Sequence, residues 1–373
     1  MSRIVLLGSY APSLVNFRGT LIEAMIAEGH KVIAAAPNID DDIRQKLTAL
    51  GAEYREIPMA RTSANPLADL ATYRHLRRLF RKTNADLVLT YTIKPNIWGG
   101  LAAKSLGIRS AAMVTGLGYT FANDQNAKMR QRMVSALARR LYAAAARHHS
   151  HLIFQNPDDR DDFAATGCLD DASKVVFTAG SGVDVRAFAP TPLPNKPIFL
   201  MVARLLISKG VREYAQAAAR LKQEHPDWEF RLVGWRDDGP DAVSAAEIED
   251  CTAQGLDYRG PSDDVAAELA LASIYVLPSY REGTPRSVLE AMACGRPVIT
   301  TDAPGCCETV REGETGFLVP VRDVDALANR MRHLGADSDL GARMGVAGRA
   351  FAEERFDVAK VNAKLLQDLG LAL

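Results

Sequence analysis

Ile274-Tyr-Val-Leu-Pro278 leads into Glu282-Gly-Thr-Pro-Arg-Ser-Val-Leu-Glu290-Ala-Met-Ala-Cys294, and Gly295-Arg-Pro297 closes the stretch. An apolar run, a polar break, a helical pattern and a stop read as strand, loop and helix. Thr284 is the expected N-cap and Pro285 the expected first helical residue, where a missing N–H costs nothing. Gly295 suits the position just past the helix end, with Pro297 beyond it. Glu282 then stands before the positive end of the helix, an end that attracts phosphate. Glu290 follows the expected cap by six residues, about 9 Å along the axis, and its side chain leans back toward the start. A diphosphate at the helix start would have a sugar near Glu282 and ribose hydroxyls near Glu290. The spacing suits a nucleotide sugar.

Outward from this stretch, the second half alternates strands at Ile198–Ala203, Phe230–Gly234, Ser273–Leu277 and Val298–Thr301 with helical patterns. The first half does the same. Ile4–Gly8, Lys31–Ala36, Asp86–Thr90, Ser110–Thr115 and Leu152–Phe154 read as buried strands. Gly19–Glu28, Pro66–Lys82, Ile97–Leu106 and Lys128–His148 read as helices. Such repeated βα units predict parallel sheets covered on both faces. Pro190-Thr-Pro-Leu-Pro-Asn-Lys-Pro197 is a stiff stretch suited to a linker, so the expected domains are 1–189 and 190–355. The expected fold class is therefore α/β, with two doubly wound Rossmann-like domains. No GxGxxG follows the first strand, which argues against a nicotinamide enzyme.

The 373 residues, 47% apolar and 24% charged, are natural for two soluble domains. No run approaches a membrane span, and the first strand starts too early for a signal peptide. Five cysteines lack CxxC spacing, which fits a reducing cytoplasm, with Cys306 and Cys307 as inert thiols. The formal net charge of zero hides an asymmetry. Residues 1–190 carry 24 Lys/Arg against 17 Asp/Glu, and residues 191–373 carry 21 against 28. A basic first half points to an anionic surface or acceptor on that side.

The run from Glu282 to Asp302 resembles the donor-site signature of the family-4 retaining glycosyltransferases, which have the two-domain GT-B fold. Pro304-Gly305, Glu308-Thr309-Val310 and Gly316-Phe-Leu-Val-Pro320 extend the match, and the resemblance covers nearly the whole chain. It implies two domains facing across a cleft and a last helix, about 356–373, crossing back to the first domain. Arg204 and Lys209, in the loop after the first strand of the second domain, fall on the family's cation pair. They would hold a donor diphosphate, each charge-assisted hydrogen bond contributing roughly 1.5–3 kcal/mol, and stabilise charge on the leaving group. With Glu282 they form the expected catalytic set. Glu290 would hold the ribose, and Gly283, Thr284 and Pro285 would meet the sugar and phosphates through backbone groups. Tyr258-Arg-Gly260 and Ser262-Asp-Asp-Val265 resemble the base-binding turn, although a strand–turn–helix connection capped by Asp263 reads equally well.

In the first half, Gly19 stands where many relatives have a glycine pair beside the donor phosphates. Asn16-Phe-Arg18, Tyr91-Thr-Ile-Lys94 and Val114–Phe121 resemble the subgroup acting on lipid-linked sugars in bacterial surface-polysaccharide and glycan assembly. This makes Arg18 and Lys94 candidates for acceptor-phosphate contact, against the alternative of simple loop solvation. The chain departs from the pattern in having no histidine near Thr115–Gly118 and Cys307 in place of a frequent arginine. The basic stretches Arg74–Lys82 and Arg139–His151 suit either a solvated helix face or the anionic inner face of a membrane.

The expected function is retaining transfer of a hexosyl or N-acetylhexosaminyl group from a nucleotide sugar to an undecaprenyl-diphosphate-linked sugar. It would proceed without metal or other cofactor, in the cytoplasm or peripherally on the membrane. Asp40-Asp-Asp42 is read as helix cap and first turn, His148, His149 and His151 lack ligand partners, and no nucleic-acid partner is expected. A nucleotide-sugar epimerase and a silent scaffold are the alternatives.

Overall fold

The structure, a computed structural model, describes residues 1–60, 65–116 and 129–372. Contacts divide it into two units, Met1–Ser181 with Val361–Leu373, and Gly182–Lys360. The first carries β1 (Arg3–Leu7), β2 (Lys31–Ala36), β3 (Glu53–Glu56), β4 (Leu87–Tyr91), β5 (Arg109–Val114), β6 (His151–Phe154) and β7 (Val175–Phe177). These strands pair in parallel in the order β3-β2-β1-β4-β5-β6-β7. Successive side chains of a strand point to opposite faces, and β1 shows the result. Ile4 and Leu6 join one core cluster and Val5 and Leu7 another, so helices cover both faces.

The second unit carries β8 (Ile198–Val202), β9 (Glu229–Val233), β10 (Leu256–Tyr258), β11 (Ile274–Leu277), β12 (Val298–Thr301) and β13 (Gly316–Val319). They too are parallel, in the order β10-β9-β8-β11-β12-β13. Consecutive residues Phe199, Leu200 and Met201 are all buried, as a strand covered on both faces requires. Each unit is thus a doubly wound Rossmann-like sheet. Strand order reverses between β1 and β4 in the first and between β8 and β11 in the second. Ligands of such sheets bind at these reversals, beyond the carboxyl ends of the strands.

Several expectations shift. Helix Ile93–Lys104 begins four residues before the expected Ile97, because Pro95 fits inside a first turn, where N–H groups have no partner anyway. The helix expected from Lys128 is described from Met129 to Ala146. The proline-rich stretch 190–197 lies inside the second unit rather than between units. Buried Arg296 explains this, since its guanidinium bonds Thr191 Oγ1 and, at 3.4 Å, the Pro192 carbonyl. The last helix, Val358–Asp368, leads into the first unit. There Leu365, Leu366, Leu369 and Leu371 join the core, and Arg109 donates to the Leu369 carbonyl at 3.1 Å. Asp40 caps its helix, accepting from the Ile43 N–H at 2.9 Å.

Candidate active site

At the reversal in the second unit, the loop after β8 meets the loop after β11. Lys209 ends a short 3₁₀ turn, and Gly210 follows at φ +75°. A Cβ at Gly210 would stand 2.1 Å from the Pro278 carbonyl oxygen, so only glycine lets the two loops approach this closely. The approach is pinned by the Tyr280 N–H, which donates to the Ser208 carbonyl at 2.8 Å. Lys209 Nζ and Glu282 Oε1 consequently form an ion pair, with side chains only 21% and 12% exposed. Ser279 Oγ donates to the same carboxylate oxygen at 2.8 Å.

Glu282 is also held from below. Its N–H donates to the Pro304 carbonyl at 2.9 Å, and Gly305, at φ +78°, lies against the Glu282 and Gly283 carbonyls. The expected motif Pro304-Gly305 is therefore the floor of the Glu282 loop. Tyr280 Oη donates to Glu213 Oε1 at 2.7 Å, and burial with the Glu213 charge pushes the phenol up to about 12. Cys306 lies buried nearby, its thiol also raised to about 12, chiefly by burial.

The helix after this loop runs Arg286–Ala293, one residue later than expected. Pro285, not Thr284, is the N-cap, at ψ 103° and without a side-chain cap bond. A residue before proline is pushed out of the helical region, and Pro285 itself is still extended. Its carbonyl accepts from the Val288 N–H at 3.0 Å. Glu290 is then about 7.5 Å along the axis from the cap. It is buried, and burial raises its pKa against the opposing effect of Arg286, whose Nε donates to Glu290 Oε1 at 2.8 Å.

Arg204 follows β8 but points toward β9, where its Nη1 pairs with Asp237 at 3.1 Å. Along that edge Trp235, Asp237, Tyr258 and Pro261 line a cavity of about 730 Å³. Here lies the turn expected to meet a base. Its helix, Val265–Ala270, starts at Val265 and is capped by Asp264 rather than Asp263, Asp264 accepting from the Ala267 N–H at 2.9 Å.

The reversal in the first unit gathers the loops after β1 and β4. Arg18 is buried with its guanidinium 5.1 Å from the Tyr91 ring centre, and Gly19 opens the helix Gly19–Ala27. Ser13 Oγ lies 2.8 Å from Tyr91 Oη, and Ser9 Oγ 2.8 Å from Thr92 Oγ1. Thr92 holds φ +70°, ψ 158°, a conformation that non-glycine residues rarely adopt. Lys94 Nζ is held by Asp69 at 2.8 Å, with both side chains 17% exposed. Of the segment Val114–Phe121, residues from Leu117 onward lie outside those described. His149 is buried against the Asn96 carbonyl at 3.0 Å, and burial lowers its pKa to about 4.

The structure thus brings Lys209 and Glu282 together, buries Glu290 on the following helix against Arg286, and gives Arg204 a carboxylate partner. Sequence reasoning assigned no role to Ser279, Asp237 or Arg286. Ser279 and Asp237 follow strands at the ligand-binding edge, and Arg286 stands four residues before Glu290, so position alone marked all three.

Two family models match the chain, "Glycosyl transferases group 1" over residues 196–337 and "Glycosyl transferase 4-like domain" over 17–180. An N,N'-diacetylbacillosaminyl-diphospho-undecaprenol alpha-1,3-N-acetylgalactosaminyltransferase of Campylobacter jejuni is 30% identical, with 93% of each chain covered. A UDP-Gal:alpha-D-GlcNAc-diphosphoundecaprenol alpha-1,3-galactosyltransferase of Escherichia coli is 26% identical over 76% of this chain and 75% of its own. Among solved structures, Anabaena HepE in complex with UDP and glucose superposes with a TM-score of 0.80 at 19% identity, covering 99% of this chain and 100% of that one. Sucrose-phosphate synthase of Thermosynechococcus elongatus gives 0.79 at 20% identity, covering 98% of each. The chain belongs to the family-4-like glycosyltransferases of GT-B fold.

Proposed function

We propose that this glycosyltransferase moves a hexosyl or N-acetylhexosaminyl group, with a UDP-N-acetylhexosamine as favoured donor, onto an undecaprenyl-diphosphate-linked sugar in polysaccharide or glycan assembly. The observation that carries the reading is the Lys209–Glu282 pair at the strand reversal of the second unit, with Glu290 buried on the helix that follows. An ammonium has three donors, so Lys209 can serve Glu282 and a phosphate oxygen together. Arg204 adds a second cation to the diphosphate when it leaves Asp237. Glu282 meets the donor sugar with the backbone of Gly283, Thr284 and Pro285, and Glu290 accepts from the ribose hydroxyls. The base occupies the cavity beside Tyr258 and Pro261. Cationic side chains and a helix end neutralise the leaving diphosphate, and no metal is required.

The first unit takes the acceptor, with Arg18 and Lys94 as phosphate contacts. The names of the Campylobacter and Escherichia relatives, both of undecaprenol-diphosphate-linked sugars, support this half of the reading. Attack from the face that the diphosphate leaves, assisted by a phosphate oxygen, retains anomeric configuration.

The test is incubation of the purified chain with UDP-N-acetylhexosamines or GDP-mannose and an undecaprenyl-diphosphate-linked monosaccharide, with and without EDTA. Mass spectrometry should show one N-acetylhexosamine added, undiminished by EDTA, and NMR of the early product should show the donor's configuration. Donor conversion without acceptor would support an epimerase instead. An inverted product would overturn the stereochemical proposal alone.

A further inference from the structure

The loop after β9, residues 235–243, runs beside the loop that carries Arg204 and Lys209. Gly234, at φ +150°, makes this possible, since a Cβ there would stand 1.7 Å from the Ala203 carbonyl oxygen. Hydrogen bonds then fasten the two loops along their length. The Leu205 N–H donates to the Trp235 carbonyl at 3.1 Å, and the Val243 N–H to the Leu205 carbonyl at 2.9 Å. The Ile207 N–H donates to the Asp241 carbonyl at 2.8 Å, and the Ser208 N–H to Asp241 Oδ1 at 3.2 Å. Asp241 therefore holds the backbone just before Lys209. Asp237, on the same loop, reaches the Arg204 side chain instead.

The Asp237 carboxylate is aimed by its own loop. Its Oδ1 accepts from the Gly239 N–H at 3.1 Å, which leaves Oδ2 to accept from Arg204 Nη1 at 3.1 Å. This is a single hydrogen bond between side chains 38% and 31% exposed. An ion pair so open to water is screened and weak. A phosphate takes a guanidinium by two parallel bonds and binds it more strongly. Of the two cations, Arg204 is thus the one whose partner is readily exchanged, whereas Lys209 and Glu282 face each other in a more enclosed place. Asp237 also lines the cavity beside Tyr258 and Pro261, so a ligand seated there reaches the carboxylate and its guanidinium together.

We propose that Asp237 is a positioning residue that competes with the nucleoside diphosphate for Arg204. It holds the guanidinium at the cavity edge between turnovers, yields it to the diphosphate of the donor, and takes it back as the product nucleotide leaves. Its effect is to weaken retention of the product, a step that limits many transferases of this kind of closed cycle. The proposal rests on the diphosphate role given to Arg204 in the proposed function.

The test is calorimetry of the full chain with UDP, GDP and inorganic pyrophosphate on the wild type, Asp237→Asn, Arg204→Gln and the double variant. Asparagine keeps an oxygen for the Gly239 N–H and loses the charge, so an unchanged melting temperature is expected. Asp237→Asn should bind UDP about threefold tighter, and its UDP should dissociate more slowly by a similar factor. In the Arg204→Gln background the same substitution should change nothing, because the residue competed for is gone. Asp238→Asn, at an exposed neighbour in the same loop, reports the general effect of removing one negative charge and should tighten binding by less than about 1.5-fold. Binding by Asp237→Asn that equals or falls below that of the wild type would overturn the proposal. So would a gain that survives in Arg204→Gln, or one that Asp238→Asn matches. Pyrophosphate binding without UDP or GDP binding would count against the nucleotide reading of the proposed function alone, since the same cycle run on pyrophosphate still decides the competition. Binding of none of the three would overturn both.

Discussion

Gly305→Ala should uncouple activity from folding, because the glycine supports the loop that carries Glu282. The added Cβ would stand 2.1 Å from the Glu282 carbonyl oxygen and 2.4 Å from that of Gly283. Real Cβ atoms essentially never come within 3.0 Å of such atoms, so the loop must recede by 3.0 − 2.1, about 0.9 Å. That displacement pulls Glu282 away from Lys209 and Ser279. A misplacement near 1 Å costs about 10²-fold in rate, or roughly 2.7 kcal/mol of barrier. Positive φ adds a separate cost of about 1–2 kcal/mol of stability for any side chain.

Gly313→Ala provides the control. Gly313 has φ +74° in the same unit, but a Cβ there meets nothing within 4 Å. It should lower Tm by roughly 2–8 °C, the same backbone strain spread over a unit of this size, and leave kcat/KM within about twofold. Gly305→Ala should fall further in Tm, by the overpacking cost of about 1–3 kcal/mol, and lose about a hundredfold in kcat/KM for the donor. The assay is nucleotide release at saturating acceptor, beside a thermal melt of each protein. Equal activities for folded Gly305→Ala and Gly313→Ala would refute the reasoning.

Further expectations concern buried charge. Burial raises the Glu290 pKa above the ordinary 4.5, so the folded protein binds this proton more tightly than the unfolded chain does. Ionisation of Glu290 therefore costs stability as pH rises from 4.5 through the folded pKa. Glu290→Gln should be at least as stable as the wild type at pH 8, and its advantage should shrink below about pH 4.5; a constant difference across pH would sink this reading. Tyr280→Phe removes the donor to Glu213, whose Oε2 is already buried without a hydrogen-bond partner among the described residues. The loss should be about 1–3 kcal/mol in urea unfolding, and Glu213→Leu in the same background should recover part of it. An unchanged urea midpoint for Tyr280→Phe would mean that the bond contributes nothing. With its thiol raised to about 12, Cys306 should resist iodoacetamide at pH 8 in the folded protein and react after unfolding; ready alkylation of native Cys306 would contradict its burial.

The sequence reading recovered the central strands and missed the edges for one physical reason. Strands β3, β7 and β13 went unrecognised as strands, β10 entered only as the strand of an alternative turn reading, and all four close the sides of their sheets. All four are only three or four residues long, as edge strands often are, and β3, Glu53-Tyr-Arg-Glu56, is charged besides. A strand buried on both faces, such as Ile198–Val202, leaves an apolar run that needs no partner to be noticed. The linker was misplaced because prolines report stiffness, whereas the buried Arg296 that binds the stretch lies about a hundred residues farther on.

At the site, spacing and family resemblance pointed to Lys209, Glu282 and Glu290 as candidates, since loop position after a strand and spacing along a helix are local information. Their partners were harder to see. Asp237 and Arg204 are 33 residues apart, and Asp69 and Lys94 are 25 apart. Such pairings are set by which elements lie side by side, the neighbouring strands β8 and β9 for the first and the packed helices Pro66–Thr83 and Ile93–Lys104 for the second. The helix start shifted by one residue because a proline fits both a cap and a first turn, and only its ψ distinguishes them.

The donor site is the central claim, and nucleotide calorimetry on the wild type and Glu290→Ala tests it most directly. Tight UDP binding, weakened at least tenfold in the variant, about 1.4 kcal/mol, is the predicted result. A GDP preference with the same Glu290 dependence would keep the site and change the donor. Binding of neither nucleotide, or equal binding by both proteins, would contradict the account.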